Sequence, residues 1–183
     1  MSIAIRTERG DDAAEVAAIG ALEADAFGSE GYRALSAALR ATDHHRPAWS
    51  LVAVDRGRVV GHVMVGTVHL EPEDRSITRL VPALSPLAVA PERQRRGLGR
   101  ALVEAAVAAV DADGEPFVVL EGSPAYYGRL GFEPAAAHGI RLPLPGWAPP
   151  EAAQLRPLTG YRRSPGTVVY PAAVQAAFDA VEG

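Results

Sequence analysis

Cysteine is absent from this 183-residue chain. Disulfides, thiolate zinc sites and a cysteine nucleophile are therefore excluded. Long apolar runs are missing too: the strongest stretches are broken by Gly or Pro, and none approaches the roughly 20 residues of a membrane span. The first ten residues carry Arg6, Glu8 and Arg9 and hold no apolar core of a signal peptide, so a cytoplasmic location is expected. An excess of positive charge is also lacking. A formal net charge of −4 argues against non-specific nucleic-acid binding. Internal repeats are absent, and no composition shift marks a second domain. What is present is ordinary for a soluble globular chain, with 48% hydrophobic and 22% charged residues, enough to bury a sizeable core in one domain spanning 1–183.

Ile3 and Ile5 alternate with polar neighbours and predict a short first strand. Asp11 or Asp12 caps a helix with Val16, Ile19, Leu22 and Phe27 near helical spacing, ending at Gly28. Tyr32, Leu35 and Leu39 predict a second helix. Trp49 to Val54 and Val59 to Val68 flank Asp55-Arg56-Gly57-Arg58, the pattern of a hairpin. Leu84 to Val89 is a further strand whose Pro86 implies an edge, a bulge or a splay. A helix over 97–111 buries Leu98, Leu102, Val103, Ala106 and Val110 on one side. Phe117 to Leu120 reads as a buried strand of the kind parallel sheets use. Tyr126 to Leu130 reads as a short helix stopped by Gly131, Leu142 to Pro150 as a proline-rich loop, and Thr167 to Tyr170 as a last strand. The fold class is α/β in the α+β sense, a mixed, mainly antiparallel central sheet flanked by helices.

The chemistry concentrates in Gln94-Arg95-Arg96-Gly97-Leu98-Gly99, between a strand and a long apolar helix. A helix start offers unpartnered N–H groups and partial positive charge, and glycine lets an anion approach without meeting a Cβ. Arg93, Arg95 and Arg96 add mobile cations, so the guest is a phosphate or pyrophosphate. A P-loop is excluded because no Gly-Lys-Ser/Thr follows at the required spacing. A dinucleotide fingerprint fits Gly97-Leu98-Gly99 and Glu121. Leu102 in the third glycine position, which would hinder close helix–strand packing, and the residues 91–96 between strand and glycines oppose it. His44-His45 lies in a polar connection without a third ligand and is expected to face solvent rather than bind metal.

Leu87-Ala88-Val89-Ala90-Pro91-Glu92-Arg93-Gln94-Arg95-Arg96-Gly97-Leu98-Gly99, followed by a helix and then Tyr127-Gly128-Arg129-Leu130-Gly131-Phe132, resembles the GNAT superfamily of acetyl-CoA-dependent N-acetyltransferases. The resemblance covers about Ile3 to Phe132, so the core is about 1–136 and a proline-rich extension follows over 137–183. It implies acetyl-CoA as acyl donor, with backbone groups of Leu87, Ala88 and Val89 toward pantetheine. The loop of Gln94, Arg95, Arg96, Gly97, Leu98, Gly99 and Arg100 would face the pyrophosphate. It implies direct attack of a primary amine, from a small molecule or peptide, on the thioester. Tyr127 then protonates the departing sulfur as general acid; the alternative is that Tyr127 only packs on the cofactor. The strand from Val81 to Val89 holds no ionisable side chain, a departure from many members of the family that leaves Glu23, Asp25, His62, His69 or a water as the base. A silent acyl-CoA-binding module is the alternative function, and dimers are common in such families. The segment from His138 to Pro150 is expected to cap the acceptor side.

Overall fold

The computed structural model describes residues 3–74 and 76–182. The outermost positions of the expected domain, 1, 2 and 183, lie outside the described residues. In chain order the elements are β1 (Ala4–Thr7), α1 (Ala13–Phe27), α2 (Glu30–Arg40), β2 (Leu51–Asp55), β3 (Arg58–Pro72), β4 (Arg79–Val89) and α3 (Leu98–Ala112). There follow β5 (Phe117–Glu121), α4 (Pro124–Tyr127), β6 (Glu133–Pro134), β7 (Ile140–Arg141), β8 (Ala153–Pro157), β9 (Gly166–Val169) and α5 (Ala172–Glu182). The chain groups into two compact units, each assembled from non-consecutive segments, with the boundary falling inside β3, β4 and α3.

The first unit comprises 1–66, 85–109 and 172–183. β1 pairs antiparallel with β2, and β2 with β3, through a turn in which Arg56 (φ 50°) and Gly57 (φ 79°) both take the left-handed region that two-residue hairpins require. Asp12 accepts from the amides of Ala14 and Glu15 at the start of α1, and Gly28 (φ 68°) ends it. Ser29 then caps α2 through a 3.2 Å bond from the Gly31 amide, so the helix begins at Glu30, two residues before Tyr32. The α5 helix, hidden in the sequence by the proline content around it, packs on α2 at Gly31, whose absent Cβ would meet the Val181 backbone at 3.3 Å. All 18 Lys/Arg positions are arginine, and several of them pair with carboxylates in this unit. Arg6 and Arg9 both grip Glu15, whose carboxyl is lowered to about 2, first by the hydrogen bond from Arg6 and then by those from Arg9.

Leu102 does not hold α3 away from the sheet. It is fully buried, and the room it needs comes from the strand, where a Cβ on Gly61 would stand 2.7 Å from Leu102 Cδ1 and 3.3 Å from Ala53 Cβ. The expected obstacle to close packing is thus met by a glycine on β3 rather than on the helix.

A charged cluster is sealed beneath α1 and α2. His62 on β3 is 0% exposed and lies between two carboxylates, with Nδ1 2.8 Å from Glu23 Oε1 and Nε2 2.9 Å from Glu8 Oε2. Arg40 of α2 clasps both Glu8 oxygens at 2.9 Å, and His45 Nε2 stands 3.6 Å from Glu8 Oε1 and 3.1 Å from Ser50 Oγ. His45 is therefore drawn into the cluster and does not face solvent as expected. Each ring nitrogen of His62 faces a carboxylate oxygen, and a ring protonated on both nitrogens donates to both. Burial alone would lower the His62 pKa; the hydrogen bonds to Glu23 and Glu8 raise it. Burial likewise would raise Glu8, and the donors His45, His62 and Arg40 instead hold it far below the ordinary carboxylate range.

The second unit comprises 67–84 and 110–171. Its strand order is β3-β4-β5-β8-β6, with β9 antiparallel to the end of β3 and β7 parallel to β9. β5 meets β4 in parallel at Ala83↔Val119 and runs antiparallel to β8 over five positions from Phe117↔Pro157 to Glu121↔Ala153. The parallel expectation for β5 therefore holds on one side only. Val68, Leu70, Val81, Phe117, Ile140 and Leu155 form its core.

Gly61→Val is expected to lower stability by about 1–3 kcal/mol through overpacking against Leu102, read as a fall in urea midpoint at unchanged slope. The cluster makes stability depend on pH in both directions. A raised histidine pKa contributes stability that is complete below its unfolded value of about 6.5 and is lost as pH rises through the folded value. Depressed Glu8 and Glu15 contribute stability present above about pH 4.5 and lost as pH falls. Urea midpoints are expected to peak between about pH 5 and 6.5, and His62→Gln to flatten the alkaline decline while costing about 3–5 kcal/mol. Among the described residues Glu23 Oε2 has no hydrogen-bond partner, so removing His62 takes away the bond that Glu23 Oε1 makes.

Candidate functional site

The turn from β4 into α3 is built on backbone of alternating hand. Pro91–Arg93 form a single 3-10 turn, Arg95 takes φ 57° and Gly97 φ 84°. A left-handed arginine is strained by roughly 1–3 kcal/mol, which the surrounding structure must hold. Alternation of right- and left-handed residues turns successive N–H groups toward one point and forms an anion-binding concavity. The Gly97 carbonyl accepts from the Ala101 amide at 3.0 Å, so Gly97 is the last residue before the helix. Helix geometry then leaves the Leu98, Gly99 and Arg100 amides without partners inside α3.

The expected residues of this region meet in one unit but serve it differently. Leu87 is half-buried and Ala88 and Val89 are buried in β4; Pro86, which follows a cis peptide, has no N–H to donate. The Gln94 side chain turns back, donating Nε2–H to the Val89 carbonyl at 3.1 Å, and so ties the loop to the strand end. Arg93 is not a mobile cation: it forms a 2.5 Å ion pair with Asp55 at the end of β2. Arg95, Arg96 and Arg100 are exposed, while Leu98 is buried. An open cavity of about 240 Å³ lies beside the loop, between Ile5 and Gly97, Leu98 and Ala101.

Tyr127 belongs to the second unit, at the end of α4. Its ring meets the Phe132 ring edge-on at 5.5 Å and the Tyr126 ring at 4.9 Å. Burial, with Tyr126 adding to it, pushes the Tyr127 phenol well above its usual pKa, so it carries its proton throughout the neutral range. Gly131 (φ 77°) closes the turn, and the Phe132 amide donates to the Tyr127 carbonyl at 3.2 Å. Gly122, just past β5, lies against the same ring, and no local pattern in the sequence singles it out.

The expected bases separate by exposure. Glu23 and His62 are 0% exposed and spent on each other, whereas Asp25 is exposed and His69 half-buried. Among the described residues no group of histidine, aspartate and glutamate could hold a metal ion, and no helix is long and apolar enough to cross a membrane.

Residues 9–135 match the model of the acetyltransferase (GNAT) domain. The chain is 35% identical over 135 residues to the uncharacterised N-acetyltransferase YjhQ of Escherichia coli K12, covering 73% of this chain and 74% of that one. The structure is similar to that of the GNAT family N-acetyltransferase YhbS of Escherichia coli in complex with CoA, with a TM-score of 0.81 and 31% identity over 94% of this chain and 92% of that one. It is also similar to a GNAT family acetyltransferase of Brucella melitensis in complex with acetyl-CoA, with a TM-score of 0.73 and 27% identity over 94% and 97% of the two chains. A bound acyl carrier in both neighbours accords with acetyl-CoA as the donor here. The loop between β4 and α3, the mixed sheet and the matched sequence together place this chain in the GNAT family of N-acetyltransferases.

Proposed function

We propose that residues 1–183 work as one catalytic domain that passes the acetyl group of acetyl-CoA to a primary amine by direct attack, with Tyr127 as general acid. The observation that carries this reading is a phenol kept protonated by burial beside Gly122 and Phe132. A neutral amine attacks the thioester carbon, forming the C–N bond and a tetrahedral intermediate. Collapse breaks the C–S bond, Tyr127 hands its proton to the leaving sulfur, and the nitrogen loses its proton to Asp25, His69 or water. The products are the acetamide and CoA. General-acid assistance of this kind contributes about 10²- to 10⁴-fold.

Backbone of Leu87, Ala88 and Val89 is assigned to pantetheine, and the N–H groups of the segment from Gln94 to Arg100 to the pyrophosphate. The alternating hand of Arg95 and Gly97 supports the second assignment. In this reading His138 to Pro150 caps the acceptor side, and the exposed Trp147 supports a binding role for that loop. The acceptor is a small molecule or peptide amine met in the cytoplasm, by a monomer or a homodimer.

Tyr127→Phe is expected to lower kcat by about 10²-fold or more with acetyl-CoA affinity unchanged, followed as CoA release over a panel of polyamines, aminoglycosides and peptide N-termini. Equal turnover by both proteins removes the acid, and tight acetyl-CoA binding with no turnover by wild type favours a silent binding module. Among the described residues, chain neighbours aside, no atom stands within 4 Å of a Cβ built on Gly97, so within the protein Gly97→Ala is opposed by backbone hand rather than by packing. A penalty of about 1–2 kcal/mol predicts roughly tenfold weaker acetyl-CoA binding by calorimetry.

A further inference from the structure

We infer that Gly122 is a positioning residue for the reaction: the missing Cβ is the seat of the Tyr127 ring, and Gln154 braces that seat. The inference rests on the reading of Tyr127 as the acid and names what places its hydroxyl.

Gly122 has no positive φ, so backbone conformation does not call for glycine there. Space does. A Cβ on Gly122 would lie 2.7 Å from Tyr127 Cδ2, nearer still to Cε2, and 3.3 Å from Leu120 Cδ1. Such approaches cannot persist, and either the Gly122 backbone or the ring must give way. The backbone is tied at both polar groups. Its amide donates to the Ala152 carbonyl at 3.0 Å, and its carbonyl accepts from Gln154 Nε2 at 2.8 Å. Gln154 is 2% exposed, sits on β8 opposite Leu120 and Pro134, and so fixes the carbonyl from inside the sheet. The ring is therefore the part displaced, and turning it about its side-chain torsions carries the hydroxyl furthest. Phe132 and Tyr126 hold the ring edge-on from other sides, which leaves the Gly122 gap as the element that sets its depth.

A cycle of Gly122→Ala and Tyr127→Phe separates positioning from mere structure. Phenylalanine keeps the ring and hence the clash, so any loss of folding appears in both backgrounds, whereas misplacement of an acid appears only where the hydroxyl exists. With glycinamide, spermidine and kanamycin as acceptors, Gly122→Ala is expected to lower kcat about 10- to 100-fold with KM for acetyl-CoA within about twofold. In Tyr127→Phe the same change should lower kcat less than about twofold further. Gln154→Met, which introduces no clash, should give a smaller loss with the same dependence on the hydroxyl. Equal losses in both backgrounds, or full kcat in Gly122→Ala, overturn the seat. Full activity in Tyr127→Phe alone overturns the acid and the seat with it. Ultraviolet titration of the phenols needs no acceptor: wild type minus Tyr127→Phe should show Tyr127 titrating well above an ordinary phenol, and Gly122→Ala should bring it down toward the ordinary value of about 10 as the ring leaves its seat. An unchanged titration in both Gly122→Ala and Gln154→Met overturns the inference even for an enzyme that turns over none of the three amines.

Discussion

One histidine held between two carboxyl groups organises the first unit. His62 reaches Glu23 on α1 with one nitrogen and Glu8, just beyond β1, with the other, and Glu8 passes the connection on to Arg40 of α2. Each partner comes from a different element, so a β-strand, the segment after β1 and two helices share one point of attachment. Buried ions are costly to desolvate, and their attraction offsets that cost only when every partner is present in good geometry. The arrangement therefore specifies which way α1 and α2 face the sheet more sharply than an apolar seam of the same size, because a register shift on any element would strand a charge.

Much of this fold was legible from periodicity and punctuation. Asp12 and Gly28 bracket α1, and Arg56-Gly57 turns the first hairpin, because capping and left-handed conformations demand particular residue types. What stayed hidden has a common physical origin. β8 reads as an unremarkable Ala-Gln-Leu-Arg-Pro and is a strand because β5 and β6 lie on either side of it, a long-range fact. The partners of His62 are 39 and 54 residues away in sequence, and no local pattern announces them. Residue types marked the loop before α3 as cation-rich, yet they overcounted its mobile cations: Arg93 is consumed by Asp55, a partner that only the fold supplies.

The site shows the same division of labour between side chain and main chain. At the β4–α3 turn the main chain leaves amides open at the start of α3, and the Gln94 side chain ties the loop to the Val89 carbonyl. At Tyr127 the ring rests against the main chain of Gly122. Glycine acts in opposite ways at the two places. Gly97 is there for its backbone hand and Gly122 for its empty side, while Gly61 applies the second use to Leu102.

The complete replacement of lysine by arginine in this chain has a bearing on durability. A protein that works with an activated thioester holds a reagent able to acylate any neutral amine it meets, and acylation of a lysine erases its charge. Guanidinium groups remain protonated and offer no such nucleophile. The pairs Arg6–Glu15, Arg40–Glu8 and Arg93–Asp55 are thus built from the one cation that the protein's own acyl donor leaves untouched.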